Sequence, residues 1–185
     1  DPNTLVRWLN MYMETMAQAV SDHGGIIDDY AGDGIKVNFG VPLPRNNRND
    51  ICQDAINAVD CALSMGKRMR ELNNLCLNQN LPTTGIRIGI FTGSVIAGAL
   101  GSSNRLKYTT VGDTVNIAAR LESYDKNFEK ESLCRILIGD STLSYLGHQF
   151  NTKMVGEEVL RGREGKISIH RVLGRNINHQ FNPPR

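Results

Sequence analysis

The chain has 185 residues, of which 40% are apolar and 22% charged. That is the balance of one ordinary globular domain, able to bury a core without disulfides or a structural metal. Lys and Arg number 21 and Asp and Glu 19, a net charge of +2, so no basic field argues for nucleic acid as a partner. No run approaches the ~18 apolar residues of a membrane span, and no secretory leader is recognisable. The sequence starts at Asp1-Pro2 without an initiator Met and is expected to be part of a longer protein.

Leu5, Trp8, Leu9, Tyr12, Met13, Met16 and Val20 recur at three- and four-residue intervals, which predicts an amphipathic helix over 3–22. Gly24-Gly25 ends it. Ile26 to Tyr30 and Ile35 to Phe39 read as two short strands joined through Ala31-Gly32-Asp33-Gly34, an Asp-Gly hairpin signal. Val41 to Asp50, with two prolines, is a polar loop. A second helix is expected over 50–78, striped by Ile51, Ala55, Ile56, Val59, Leu63, Met69 and Leu72.

Ile86, Ile88 and Ile90 alternate with Arg87, Gly89 and Phe91 and predict a strand. A strand over 94–99, a polar loop over 101–107 and a short strand from Tyr108 to Val111 follow. Asp113 is placed to cap a helix over 114–124. Arg135 to Ile138 is a strand, Ser141 to Leu146 a short helix, and two further strands are expected near 149–154 and 166–172. The order predicts an α+β fold, with a ferredoxin-like βαββαβ core, added strands and helices, and a mixed, mostly antiparallel sheet. One domain is expected over 1–174, with a flexible tail over 175–185.

Cys52, Cys61, Cys76 and Cys134 contain no CxxC pair, and His23, His148, His170 and His179 no HExxH spacing. Zinc and thioredoxin-type chemistry are therefore poorly supported, and a reducing environment fits best. Thr92 to Gly101 is Gly-rich but lacks both the GK[ST] ending of a P-loop and a GxGxxG opening a helix.

Three residues are left that could do chemistry. Asp33 stands at a hairpin tip between Gly32 and Gly34, where backbone can approach a ligand, although Asp is also a good turn residue. Asn116 and Arg120 are four residues apart on one helix, so an amide and a guanidinium share a face suited to a hydroxyl- and phosphate-bearing ligand. A solvated helix face would show the same pattern.

Taken together, HGGIIDDYAGDGIKVNFGVP over 23–42, GIRIGIFTGSVIAGALGSSNRLKYTTVGDTVNIAARLES over 85–123 and CRILIGDSTLSYLG over 134–147 resemble the catalytic domain of the class III adenylate and guanylate cyclases. The resemblance runs from about residue 3 to residue 173. It implies conversion of a purine nucleoside triphosphate, ATP or GTP, to its 3′,5′-cyclic monophosphate and pyrophosphate, with two Mg²⁺ or Mn²⁺ ions per site. Asp33 matches one metal carboxylate. The other lies in a strand with a motif like FxDxxGFT, which these residues do not contain. Asn116 matches the residue that orients the ribose and Arg120 the one that stabilises the pentavalent phosphate. The resemblance also implies a homodimer with active sites shared between chains, a cytoplasmic location for this domain, and a regulatory or sensor module in the intact protein, which can be membrane-anchored. Arg135 and Arg161 fall where phosphate-contacting residues occur in some members.

The two base-selecting positions of the family fall on Asp29 and Thr109. An acid at the first leans toward guanine, whose N1–H and N2–H₂ donate. Thr109 can accept from adenine N6 or donate to guanine O6. Thr at that position resembles a bacterial subgroup of adenylate cyclases, which narrowly favours ATP, with guanylate cyclase as the alternative. A cyclase-like domain that dimerises and regulates without turnover is the third reading. The presence of Asp33, Asn116 and Arg120 weighs against it.

Overall fold

The computed structural model describes residues 2–159 and 165–177. Helix α1 (Pro2–Asp22) packs Met16, Ala19 and Val20 against Cys61, Met65, Met69 and Leu72 of helix α2 (Arg48–Asn78). Asn47 caps α2 by accepting from the backbone N–H of Asp50 at 2.8 Å. Between the helices lies a hairpin, β1 (Ile26–Ala31) and β2 (Gly34–Asn38), whose Ile27, Ile35 and Val37 pack on the α1–α2 core. Its turn is Gly32-Asp33, with Gly32 at φ +64°, a conformation that costs a glycine little.

The central sheet has the order β3 (Ile86–Ile90), β6 (Cys134–Gly139), β8 (Lys166–Arg175), β7 (Phe150–Val159). β3 and β6 are parallel, and the other pairs are antiparallel. Strand β6 is buried on both faces. Ile136 and Ile138 meet Ala55, Ile56 and Val59 of α2, whereas Leu137 meets Ile117 and Leu121 of helix α3 (Asp113–Ser123). A strand covered on both sides reads as a continuous apolar run, as Ile136-Leu137-Ile138 does. Helix α4 (Asp140–Leu146) adds Leu146 to the α2 side.

The fold is the expected mixed α+β arrangement, but its strands form three sheets rather than one continuous ladder. The β1–β2 hairpin and a second hairpin, β4 (Ile96–Ser102) with β5 (Arg105–Val111), stand as separate two-stranded sheets among the described residues. The latter corrects the loop expected over 101–107. The ladder continues to Ser102↔Arg105 around a two-residue turn. Polar residues concealed it because Ile96, Leu100, Leu106 and Tyr108 are largely exposed, so the strands bury no consistent face. Gly112, not Asp113, is the N-cap of α3. β8 runs through Arg175, which is paired with Asp60; the remainder of the expected tail, from residue 178, lies outside the described residues. Among the described residues no helix is long and apolar enough to cross a membrane.

Candidate functional site

Helix α3 lies directly on β3. An ideal Cβ added to Gly89 would stand 2.2 Å from the Ala118 carbonyl oxygen and 2.4 Å from the Glu122 nitrogen, so only glycine lets the helix backbone come this close. Ile117 and Leu121 point inward and are 2% exposed. That seats Asn116, which is exposed, and Arg120, which is half-buried, on the outer part of the helix, one turn apart. The structure thus brings these two together.

Asp33 sits elsewhere, at the exposed tip of the β1–β2 turn. Tyr12 of α1 is near enough to feel its charge. Burial, and then the Asp33 carboxylate, hold the Tyr12 phenol above its usual pKa. Asp33 supplies one carboxylate. No group of three or more His, Cys, Asp or Glu side chains able to hold a metal ion occurs among the described residues. A divalent ion needs more oxygen ligands than one carboxylate, so these residues do not by themselves fit the two ions that the resemblance implies.

Asp29 and Thr109, the two positions expected to select the base, do not meet each other. A bulge in β1 sets Asp28 and Asp29 together against the single Lys36 of β2. Asp29 turns outward and pairs with Lys107, whose hydrogen bond holds its carboxyl below the usual range. Thr109 instead meets the neighbouring residue. Its hydroxyl lies 3.0 Å from Asp28 Oδ2 and 3.3 Å from Lys36 Nζ. Lys36 Nζ is also 2.5 Å from Asp28 Oδ2 and donates to the Thr110 carbonyl at 2.6 Å. Burial alone would raise the pKa of Asp28, whose side chain is 3% exposed. Hydrogen bonds from Lys36, the Thr110 backbone and Thr109, with the Lys36 charge, outweigh it and bring the value to about 2. The Asp28–Lys36–Thr109 cluster escapes the sequence because a one-residue bulge decides which of two adjacent aspartates turns inward. A lysine between Ile35 and Val37 in a short apolar strand was the available signal.

Arg135 is corrected outright. It is 2% exposed and its guanidinium donates to the carbonyls of Glu122 at 2.8 Å, Asp125 at 2.7 Å and Phe128 at 2.9 Å. A group enclosed in this way is neither a phosphate contact nor a solvated surface arginine. It ties the end of α3 to the following turn. Arg161 lies outside the described residues.

Two cavities, of about 430 and 350 Å³, open beside α4 and at the start of α3. Neither is lined by Asp33, Thr109, Asn116 or Arg120.

The family described as "Adenylate and Guanylate cyclase catalytic domain" matches residues 1–174. The adenylate cyclase of Anabaena cylindrica is 31% identical over 179 residues, covering 93% of this chain and 33% of that protein. Among solved structures, the guanylyl cyclase Cya2 aligns with a TM-score of 0.82 at 32% identity, over 97% of this chain and 85% of that one. The adenylyl cyclase CyaB from P. aeruginosa aligns with a TM-score of 0.83 at 30% identity, over 96% and 86%. The chain spans about a third or less of the length of the first such curated relatives.

Proposed function

The chain belongs to the adenylate and guanylate cyclase catalytic-domain family, and from that premise we propose that it converts a purine nucleoside triphosphate, ATP in preference to GTP, to the 3′,5′-cyclic monophosphate and pyrophosphate for second-messenger signalling. The observation that carries this reading is the outer face of α3, where Asn116 and Arg120 stand one turn apart while Ile117 and Leu121 anchor the helix.

In this reading the ribose 3′ oxygen attacks the α-phosphorus. A new P–O bond forms, the bond from the α-phosphorus to the bridging oxygen of the β-phosphate breaks, pyrophosphate leaves, and the proton of the hydroxyl passes to solvent. Asn116 holds the ribose so that the 3′ oxygen faces phosphorus. Arg120 carries a permanent positive charge to the equatorial oxygens, where negative charge grows in the transition state. Asp33 contributes one carboxylate toward Mg²⁺ or Mn²⁺, on which the family generally depends. No step is assigned to the ion, because one carboxylate does not build its site.

The reading includes a homodimer, as membership of the family implies, in which one chain donates Asp33 and its mate donates Asn116 and Arg120 to the same triphosphate. Thr109 is read as the group that meets the base edge. The reaction is placed on the cytoplasmic side, under control of a module elsewhere in the intact protein.

The test is Arg120→Ala in the intact protein with Mn²⁺. The expected result is a fall in kcat of at least about 10²-fold, with nucleotide affinity changed far less. Absence of either cyclic nucleotide from the unaltered protein, with nucleotide still bound, would favour a regulatory domain without turnover.

A further inference from the structure

The hydroxyl of Thr109 has two partners on the opposite hairpin, and each is one-directional. Lys36 Nζ, at 3.3 Å, can only donate, and Asp28 Oδ2, at 3.0 Å, can only accept while ionised. A hydroxyl has one proton and two lone pairs. Lys36 takes one lone pair and Asp28 takes the proton. What Thr109 has left to offer a ligand is a single lone pair.

The rest of the cluster is closed. The three donors of the Lys36 ammonium are directed to Asp28, the Thr110 carbonyl and Thr109. The same Asp28 oxygen also receives the Thr110 backbone N–H at 3.3 Å. The Thr110 hydroxyl, 3.1 Å from that oxygen and 3.1 Å from Asn38 Oδ1, belongs to the same network. Thr110 is 2% exposed and the Asp28 side chain 3%, so the acceptor of the Thr109 proton is shielded from water, while Lys36, 29% exposed, has its three donors directed into the cluster.

We propose that the Asp28–Lys36 pair selects the purine by fixing Thr109 as an acceptor only. The site then takes a base with an exocyclic amine at carbon 6, as in ATP, over one with a carbonyl there, as in GTP. The inference rests on the reading of Thr109 as the base-facing group and deepens it. Asp28 and Lys36 are positioning residues, acting on the base through Thr109. A guanine O6 would meet the Thr109 lone pair with no proton between them, a mismatch of roughly five- to 150-fold in selectivity.

The experiment measures kcat/KM for ATP and for GTP with Mn²⁺ in the intact protein. In parallel, each nucleotide competes with a fluorescent nucleotide for binding, which needs no turnover. The unaltered protein is expected to prefer ATP by roughly fivefold or more. D28L/K36M replaces the ion pair by apolar side chains of similar size and frees the Thr109 proton, so the preference should fall at least about fivefold. K36R keeps a cation and should keep the preference. In a T109V background the D28L/K36M change should leave the ratio where T109V put it, an outcome that general damage to the fold would not give. If D28L/K36M fails to fold, D28N replaces it. Lys36 then holds the amide oxygen, the amide N–H₂ faces Thr109, and the ratio should move the same way. A GTP preference in the unaltered protein, or an ATP preference that D28L/K36M or D28N leaves in place, overturns the inference and leaves the cyclase reading standing. Selective binding that responds to these variants without any product supports the inference and overturns the catalytic reading. Failure to bind or cyclise either nucleotide overturns both.

Discussion

A methyl group on Gly89 would stand 2.2 Å from the carbonyl oxygen of Ala118, so the spacing between β3 and α3 is set by the absence of one carbon. Every side chain on the outer face of α3 inherits its position from that contact. Gly89→Ala should therefore act twice. Displacing the helix backbone is overpacking, with a cost of about 1–3 kcal/mol. Asn116 and Arg120 should also shift together, and misplacement by about 1 Å is enough to lower turnover about 10²-fold. Thermal unfolding and cyclic nucleotide output, measured on the same preparation, check both effects. Output that falls no further than the loss of folded protein would count against the role given to α3.

Asp28 gives the fold an acid-sensitive link between its two hairpins. Its pKa is lowered to about 2 from an ordinary 3.8, so the folded state binds this proton less readily than the unfolded chain. The stabilisation is complete above about pH 4 and is lost as pH falls from there toward 2. Its size is on the order of 2 kcal/mol. Asp28→Asn should lower the urea midpoint at pH 7 and at pH 5 alike, and the gap from the unaltered protein should close as pH approaches 2. A gap that opened only above pH 6 would point to another titrating group.

The four cysteines are unbridged, and their thiols should react unequally. Burial pushes Cys61 up to about 12 and Cys134 up to about 11, in each case against the opposing charge of a nearby arginine. At pH 8 neither offers appreciable thiolate, the form that reacts. Cys76 is fully buried, whereas Cys52 is half-buried and lines the cavity beside α4. Iodoacetamide applied to the folded protein at pH 8 should label Cys52 first, with the other three following only on denaturation. Mass mapping of the labelled peptides tests the order.

What the sequence made legible follows from how local each feature is. The Asp33 turn, the i, i+4 spacing of Asn116 and Arg120, and the long helices α1 and α2 are set by neighbouring residues, and periodicity or turn chemistry shows them. The features that escaped depend on distant partners. The bulge at Asp28 is decided by Lys36 and Thr109, the latter 81 residues away, and a single inserted residue changes which aspartate faces inward. The ends of β4 and β5 nearest their shared turn, over 101–107, are exposed throughout, so they lack the alternation by which strands are recognised. Arg135 reads from the sequence as a phosphate contact because its true partners are backbone carbonyls, which no side-chain pattern reveals.

That arginine gives the clearest contrast between a binding role and a structural one. Arg135 and Arg87 are register partners on β6 and β3, and both hold Glu122. Arg87 takes its carboxylate at 2.8 Å, and Arg135 takes its main-chain carbonyl, two residues beyond Arg120. Removing the Arg135 side chain would leave the carbonyls of Glu122, Asp125 and Phe128 without these donors in a closed space. Each such loss costs about 1–3 kcal/mol. Arg135→Ala should therefore lower stability by about 3 kcal/mol or more. Lys in its place should recover only part, because one ammonium cannot reproduce a planar fork directed at separate acceptors. KM for the nucleotide should stay within about twofold in whatever fraction remains folded, since KM rises when a substrate contact is lost and no such contact is removed. A direct phosphate contact predicts the opposite pair of results, a raised KM at an unchanged urea midpoint. Measuring both quantities on Arg135→Ala and Arg135→Lys decides between them.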